Sequence, residues 1–198
     1  MLSVRRYLDD PLLDRPEPLR IRRLGESLPH EPLTAQRLAA GVEAASSFAV
    51  ANVAMWAGWV ERLRTEPANE IRPMPDSGDI YTPGGHVYLH GHWQLPRPDS
   101  ALVIEFPAPA TGTYWSAVPM NYWLESFEWR FGDRVHATSQ DTEPGADGVV
   151  RLVLAQTDPG LADHTWIRTL GHDAGPIAFR FARLAGETPA VICRLIGS

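Results

Sequence analysis

Two compositional regimes meet near Pro67, and together they confine the chain to an α+β fold in which the helix comes first. From Thr34 to Arg64 the stretch "TAQRLAAGVEAASSFAVANVAMWAGWVERLR" holds no proline and is rich in alanine. Leu38, Val42, Ala45, Ala49, Val53, Trp56, Val60 and Leu63 recur there at spacings of three and four, so they form one stripe of a helix that should face the sheet. Thr34 is suited to cap its first turn, and Ser46 and Ser47 mark the one place where an interruption is expected. Most of the 18 prolines and 16 glycines come later and punctuate the chain too often for further long helices.

Pro67 to Gly85 reads as a loop, after which turn residues separate "HVYLHGHWQL", "ALVIEF", "TYWSAVPM", "YWLESFEW", "RVHATSQ", "GVVRLVLAQ", "PIAFRFARL" and "AVICRLI". These short runs predict an α+β, mainly β protein: an N-terminal helix followed by an antiparallel jelly-roll-like β-sandwich. The organisation expected is one structural unit overall, with an arm and long helix over residues 1–66 and the sandwich over 67–198.

Charge and cysteine usage narrow the partners. A net charge of −6 argues against nucleic acid, whose phosphates need a basic surface. The early arginines of "VRRYLDDPLLDRPEPLRIRRLGESLP" are interleaved with Asp9, Asp10, Asp14, Glu17 and Glu26, which makes a solvated amphipathic arm. Cys193 is the one cysteine, so no intrachain disulfide can form. Arg5 and Arg6 are followed by Tyr-Leu-Asp-Asp rather than by an apolar run, and no stretch is expected to be long and apolar enough for a membrane span. A soluble, cytoplasmic protein without a membrane partner is the expectation.

The segment "GGHVYLHGHW" places His86, His90 and His92 on one face of a strand and opens like a cupin metal motif. The alternate positions Val87, Leu89, Gly91, Trp93 and Leu95 are apolar, so the histidines should turn outward to water. A cupin needs them inward and a glutamate shortly after, where this chain has Pro96 and Arg97. No metal and no cofactor is therefore expected. A cupin-like metalloenzyme, its site completed by Glu105 or His136, stays as an alternative.

Other residues could carry chemistry. If "NYWLESFEWR" is a strand, Trp123, Glu125, Phe127 and Trp129 share one face, and Glu125 is either a desolvated general acid or base or the ion-pair partner of Arg180. His172, in "LGHDAGP", sits on a loop where it could transfer protons. Asp158 in "DPGL" suits either a polar group at a site or the first position of a type II turn. Glycine-serine elbows, phosphate loops, Rossmann glycines and Cys-x-x-Cys pairs are absent from the sequence. Seven tryptophans are many for this length and could line a shape-selective pocket as well as fill a core.

The ordered set "GHWQLPRPDSALVIEFPAPATGTYWSAVPMNYWLES", "DGVVRLVLAQTDPG" and "LGHDAGPIAFRF" resembles the bacterial domain-of-unknown-function 1214 family, often found beside family 1254. The resemblance covers about the last hundred residues and implies a jelly-roll-like sandwich. The chain departs from that pattern at "LADHTWIRTLGH", where Asp163, His164 and Arg168 stand. Taken together, the expectation is a protein that binds a small apolar or aromatic metabolite. Trp115, Trp123, Trp129, Tyr122 and Arg180 would line its pocket, and Glu125, His172, Asp158 and Arg130 would be the candidate catalytic groups of a metal-free isomerase, cyclase or lyase. The alternative is a non-catalytic subunit that docks a partner through the helix, whose Phe48, Met55 and Trp59 lie off or at the edge of the stripe and would serve a homodimer.

Overall fold

The computed structural model describes residues 18–22, 24–25, 32–74 and 86–197, so most of the arginine-rich arm and part of the loop before Gly85 lie outside the described residues. Two compact units divide within the long helix, between Ala45 and Ser46, rather than after residue 66. The first unit contributes the helix start, where the Thr34 hydroxyl accepts a hydrogen bond from the Arg37 amide at 3.2 Å. The helix α1, Ala35–Thr65, runs through the serine pair without a break. By length and composition it is apolar enough to cross a membrane, with a mean hydropathy of 1.4 over 18 residues. That corrects the expectation that no stretch would be, because the alanines between the large side chains keep the average high.

The second unit holds the C-terminal half of α1 and nine strands: β1 Glu70–Pro73, β2 His86–Gln94, β3 Ala101–Pro107, β4 Tyr114–Pro119, β5 Ala137–Thr138, β6 Val149–Ala155, β7 Thr165–Arg168, β8 Ala174–Ala182 and β9 Ile192–Ile196. They form a five-stranded sheet, β1-β2-β8-β4-β5, and a four-stranded sheet, β7-β6-β3-β9. The fold is α+β and mainly β, as the sequence predicts, and all strand pairs are antiparallel except β6 with β7.

Alternation along the strands sets the core. Leu89 and Trp93 of β2, Leu102, Ile104 and Phe106 of β3, Trp115 and Ala117 of β4, Leu152 and Leu154 of β6, and Ile177, Phe179 and Phe181 of β8 are all buried in one cluster. Phe106 is its centre: Trp115, Phe179 and Phe181 meet its ring edge-to-face at 5.1, 5.6 and 6.1 Å. Trp115 is therefore core filling, 3% exposed, and not a wall of a ligand pocket.

Five sequence expectations are corrected. "NYWLESFEWR" is a loop and not a strand, and "RVHATSQ" contributes only the two residues of β5. Conversely, β1 forms inside the expected loop, and β7 forms where no strand was expected, held beside β6 by its ladder and by the Trp166 indole donating to the Ala155 carbonyl at 3.1 Å. Within the second unit the stripe of α1 does not face the sheet throughout: only Val60 and Leu63 are buried, whereas Val53 is 69% exposed and Trp56 is exposed as well.

Two substitutions test this packing. Phe106→Ala should lower the unfolding free energy by about 3–5 kcal/mol, because several rings lose their common partner. A methyl group at Gly91 would lie 2.1 Å from the Glu70 carbonyl oxygen, so Gly91→Ala should displace β1 and cost roughly 1–3 kcal/mol. Denaturant melts of the two variants against the parent chain check both.

Candidate functional site

The residues nominated from sequence meet in part on one loop pair at the end of the five-stranded sheet. The first loop, residues 120–131, is anchored by the core: the Trp93 indole nitrogen donates to the carbonyls of Met120 at 3.2 Å and Pro176 at 3.1 Å. Gly175 lets the backbones close, since a Cβ there would sit 2.1 Å from the Met120 oxygen. Asn121 then winds the chain. Its side-chain oxygen accepts from the amides of Trp123 (2.9 Å) and Glu125 (3.1 Å), and its amide nitrogen donates to the Glu125 carboxylate at 2.8 Å. With Leu124 at φ 63°, the stretch cannot continue as a strand.

Phe127 is the one fully seated side chain of that loop, 4% exposed, with Trp93 edge-on at 6.1 Å on one side and the His172 ring stacked at 5.0 Å on the other. His172 belongs to the second loop, which Gln156 clamps: its amide donates to the His172 carbonyl at 2.7 Å, and its oxygen accepts from the Gly171 amide at 2.8 Å. Between the loops lies a cleft of about 650 Å³, lined by Asn121, Glu125, Ser126, Phe127, Glu128, Trp129, Arg130, Leu170 and His172.

Four nominated residues, Glu125, Trp129, Arg130 and His172, thus line one cleft. Glu125 is exposed and bonded to Asn121, which corrects the expectation of a desolvated carboxylate on an aromatic strand face or an ion pair with Arg180. Arg130 is committed to Glu128, by bonds of 2.8 and 2.6 Å, and holds that carboxylate down to about 2.

The others lie elsewhere. Asp158 accepts from the Gly160 amide at 2.9 Å with Gly160 at φ 67°, but residues 158–160 neither turn nor bend the chain as the predicted type II turn would, and Asp158 does not line the cleft. Tyr122 turns to α1, donating to the Glu61 carboxylate with the Arg64 guanidinium 5.3 Å from its ring centre. Trp123 packs against Tyr122 and is 72% exposed. Arg180 lies over the Tyr88 ring on the outer face of the five-stranded sheet. Sequence reasoning missed Asn121, Gln156 and Leu170. The Asn at the head of "NYWLES" was the one readable signal, since asparagine side chains wind turns.

The histidine strand is not turned to water. Val87, Leu89, Gly91 and Trp93 do take the core side, yet His90 is half-buried with its ring against Trp59 at 6.3 Å, and His92 is 8% exposed. The C-terminal end of α1 accounts for the difference, because its Trp59 comes down on the polar side of β2. Among the described residues no three His, Cys, Asp or Glu side chains converge as a metal site. The Cys193 thiol is pushed up to about 12, chiefly by burial, so it is no nucleophile near neutral pH.

Neither a protein-family model nor a curated protein matches this chain. Among solved structures it is similar to an uncharacterised protein from Burkholderia cenocepacia, 26% identical, with a TM-score of 0.75 over 86% of this chain and 46% of that one. The chain thus spans about half the length of that structure, which supports the α+β architecture. The VPA0106 protein from Vibrio parahaemolyticus is matched at 12% identity over 52% of this chain and 30% of that one, and its TM-score of 0.39 is too low to bear on the fold.

Burial lowers the pKa of both His90 and His92. Arg72 adds to this at His90 against the opposing pull of Glu66, and Arg64 adds to it at His92. The folded chain therefore releases these protons more readily than the unfolded chain, whose histidines titrate near 6.5. Stability is fully present above that value and is lost as pH falls below it toward the depressed folded values. Thermal melts from about pH 7.5 down to about pH 5 should show a decline that is shallower in the His90→Gln/His92→Gln double variant. Equal slopes would mean that these rings are solvated.

Proposed function

We propose that the cleft between residues 121–130 and 170–172 binds a small apolar or aromatic molecule. The observation that carries this reading is the gathering of Glu125, Trp129, Arg130 and His172 around one opening of about 650 Å³. Trp129 offers an aromatic surface that is already 62% exposed, while Glu125 and His172 can accept a proton from one ligand atom and return one to another. Chemistry of this kind needs no redox partner and is that of an isomerase, cyclase or lyase. The ordered motifs around Trp115, Glu125, Asp158 and His172 support placing the chain with the domain-of-unknown-function 1214 proteins.

Native mass spectrometry of the purified protein should reveal a retained small molecule, and Trp129→Ala should weaken its binding about tenfold. If the site is catalytic, Glu125→Gln and His172→Ala should each lower turnover of that molecule about 10²–10⁴-fold with the fold intact. A molecule whose affinity is indifferent to Trp129→Ala overturns the assignment of the cleft.

A second reading rests on a separate observation. Phe48 and Val53 of α1 are 71% and 69% exposed, and Met55 and Trp56 are exposed beside them. Helical spacing sets Glu43, Ser47 and Glu61 on the side away from the apolar stripe, which suits a protein surface better than a bilayer. On this reading the helix pairs with a second copy of the chain. Light scattering at micromolar concentration should then give a dimer that Val53→Glu returns to monomer, and a monomeric parent chain removes the idea.

A further inference from the structure

We propose that Arg180, on the outer face of the five-stranded sheet, is the anchor of a second binding site, one that takes the carboxylate of a small organic monoacid. The site is separate from the cleft, since Arg180 lies six residues along β8 from Ala174, about 20 Å at the rise of a strand.

Arg180 carries an unmet charge. Arg180 sits on the central strand, paired in register with Tyr88 of β2 on one side and Ser116 of β4 on the other. Its guanidinium carbon lies 5.0 Å from the centre of the Tyr88 ring. Its Nε is sealed from solvent and has no hydrogen-bond partner, and among the described residues no carboxylate lies within ion-pair range of it. By contrast Arg72, Arg97, Arg130, Arg151 and Arg168 each hold an aspartate or glutamate. A half-buried cation without a counter-charge is costly, and a planar guanidinium stacked on a ring presents its fork of donors ready for a carboxylate.

The surroundings select the class of anion. Ser116, 8% exposed, offers a hydroxyl from the neighbouring strand. Ala178 and Val118, paired across the same two strands one step along the face, give an apolar floor for the body of a ligand. The chain has no lysine, and the imidazoles nearest on that face are His86, whose ring stacks on Tyr88 at 6.5 Å, and His90, whose pKa burial lowers. One guanidinium balances a singly charged carboxylate and leaves a dianionic phosphate half-compensated.

Benzoate, its neutral analogue benzamide and inorganic phosphate distinguish the outcomes on the full chain. In the parent protein benzoate should shift the assigned Arg180 Nε–Hε resonance and raise the melting temperature, benzamide should do neither, and phosphate should bind at least tenfold more weakly. Arg180→Met, which keeps a long side chain over Tyr88, should abolish the benzoate response and melt no lower than the parent. No resonance shift up to roughly 50 mM benzoate, an equal response to benzamide, or tighter binding of phosphate would each overturn the site. Should the variant fail to fold, the resonance titration of the parent chain decides by itself.

Discussion

The Trp93 indole is the joint on which the second unit turns. It is fully buried, it comes from the end of the sequence's most conspicuous strand, and its single N–H reaches the carbonyls of Met120 and Pro176 at once. A buried indole whose N–H is unpaired would be costly, so this bond fixes where the loop after β4 leaves the sheet and where β8 begins. Phe127 stacks between Trp93 and His172, and in doing so it carries the packing of the core out to the rim of the cleft.

The cleft inherits its form from that joint. Its polar groups stand on loops, yet these loops are closed by specific bonds: Asn121 satisfies the backbone of residues 121–125, and Gln156 holds both the amide of Gly171 and the carbonyl of His172. Functional side chains on loops held by a rigid sheet are a recurrent solution, because the sheet supplies position and the loop supplies exposure. Trp123, Trp129 and Phe131 all remain exposed there, whereas Phe106, Trp115 and Phe179 of the same chain fill the interior.

The outer face of the five-stranded sheet behaves differently from an ordinary wet face. Trp59 of α1 covers His90, and Tyr88 shields Arg180. Partial cover of this kind lowers the polarity around His90 and His92 without removing them from reach, and so both imidazoles lose proton affinity. The same helix leaves Phe48, Val53 and Met55 uncovered, so one element is at once a lid for the sheet and an unpartnered apolar surface.

Periodicity and punctuation were enough to determine the order of a long helix before short strands and the inward set of β2, because each depends on near neighbours in the chain. They were also enough to nominate Glu125, Trp129, Arg130 and His172, which do share a cleft. Only tertiary structure decided the rest. "NYWLESFEWR" has the alternation of a strand, but Asn121 captures the amides that a ladder would need, and Trp93, 27 residues earlier, ties down its start. Whether Trp115 lines a pocket or fills the core depends on Phe106 and Phe181 from other strands, and whether the histidines meet water depends on where the end of α1 comes to rest. Side-chain period names the face of a strand, but what covers that face is fixed by contacts between residues far apart in sequence.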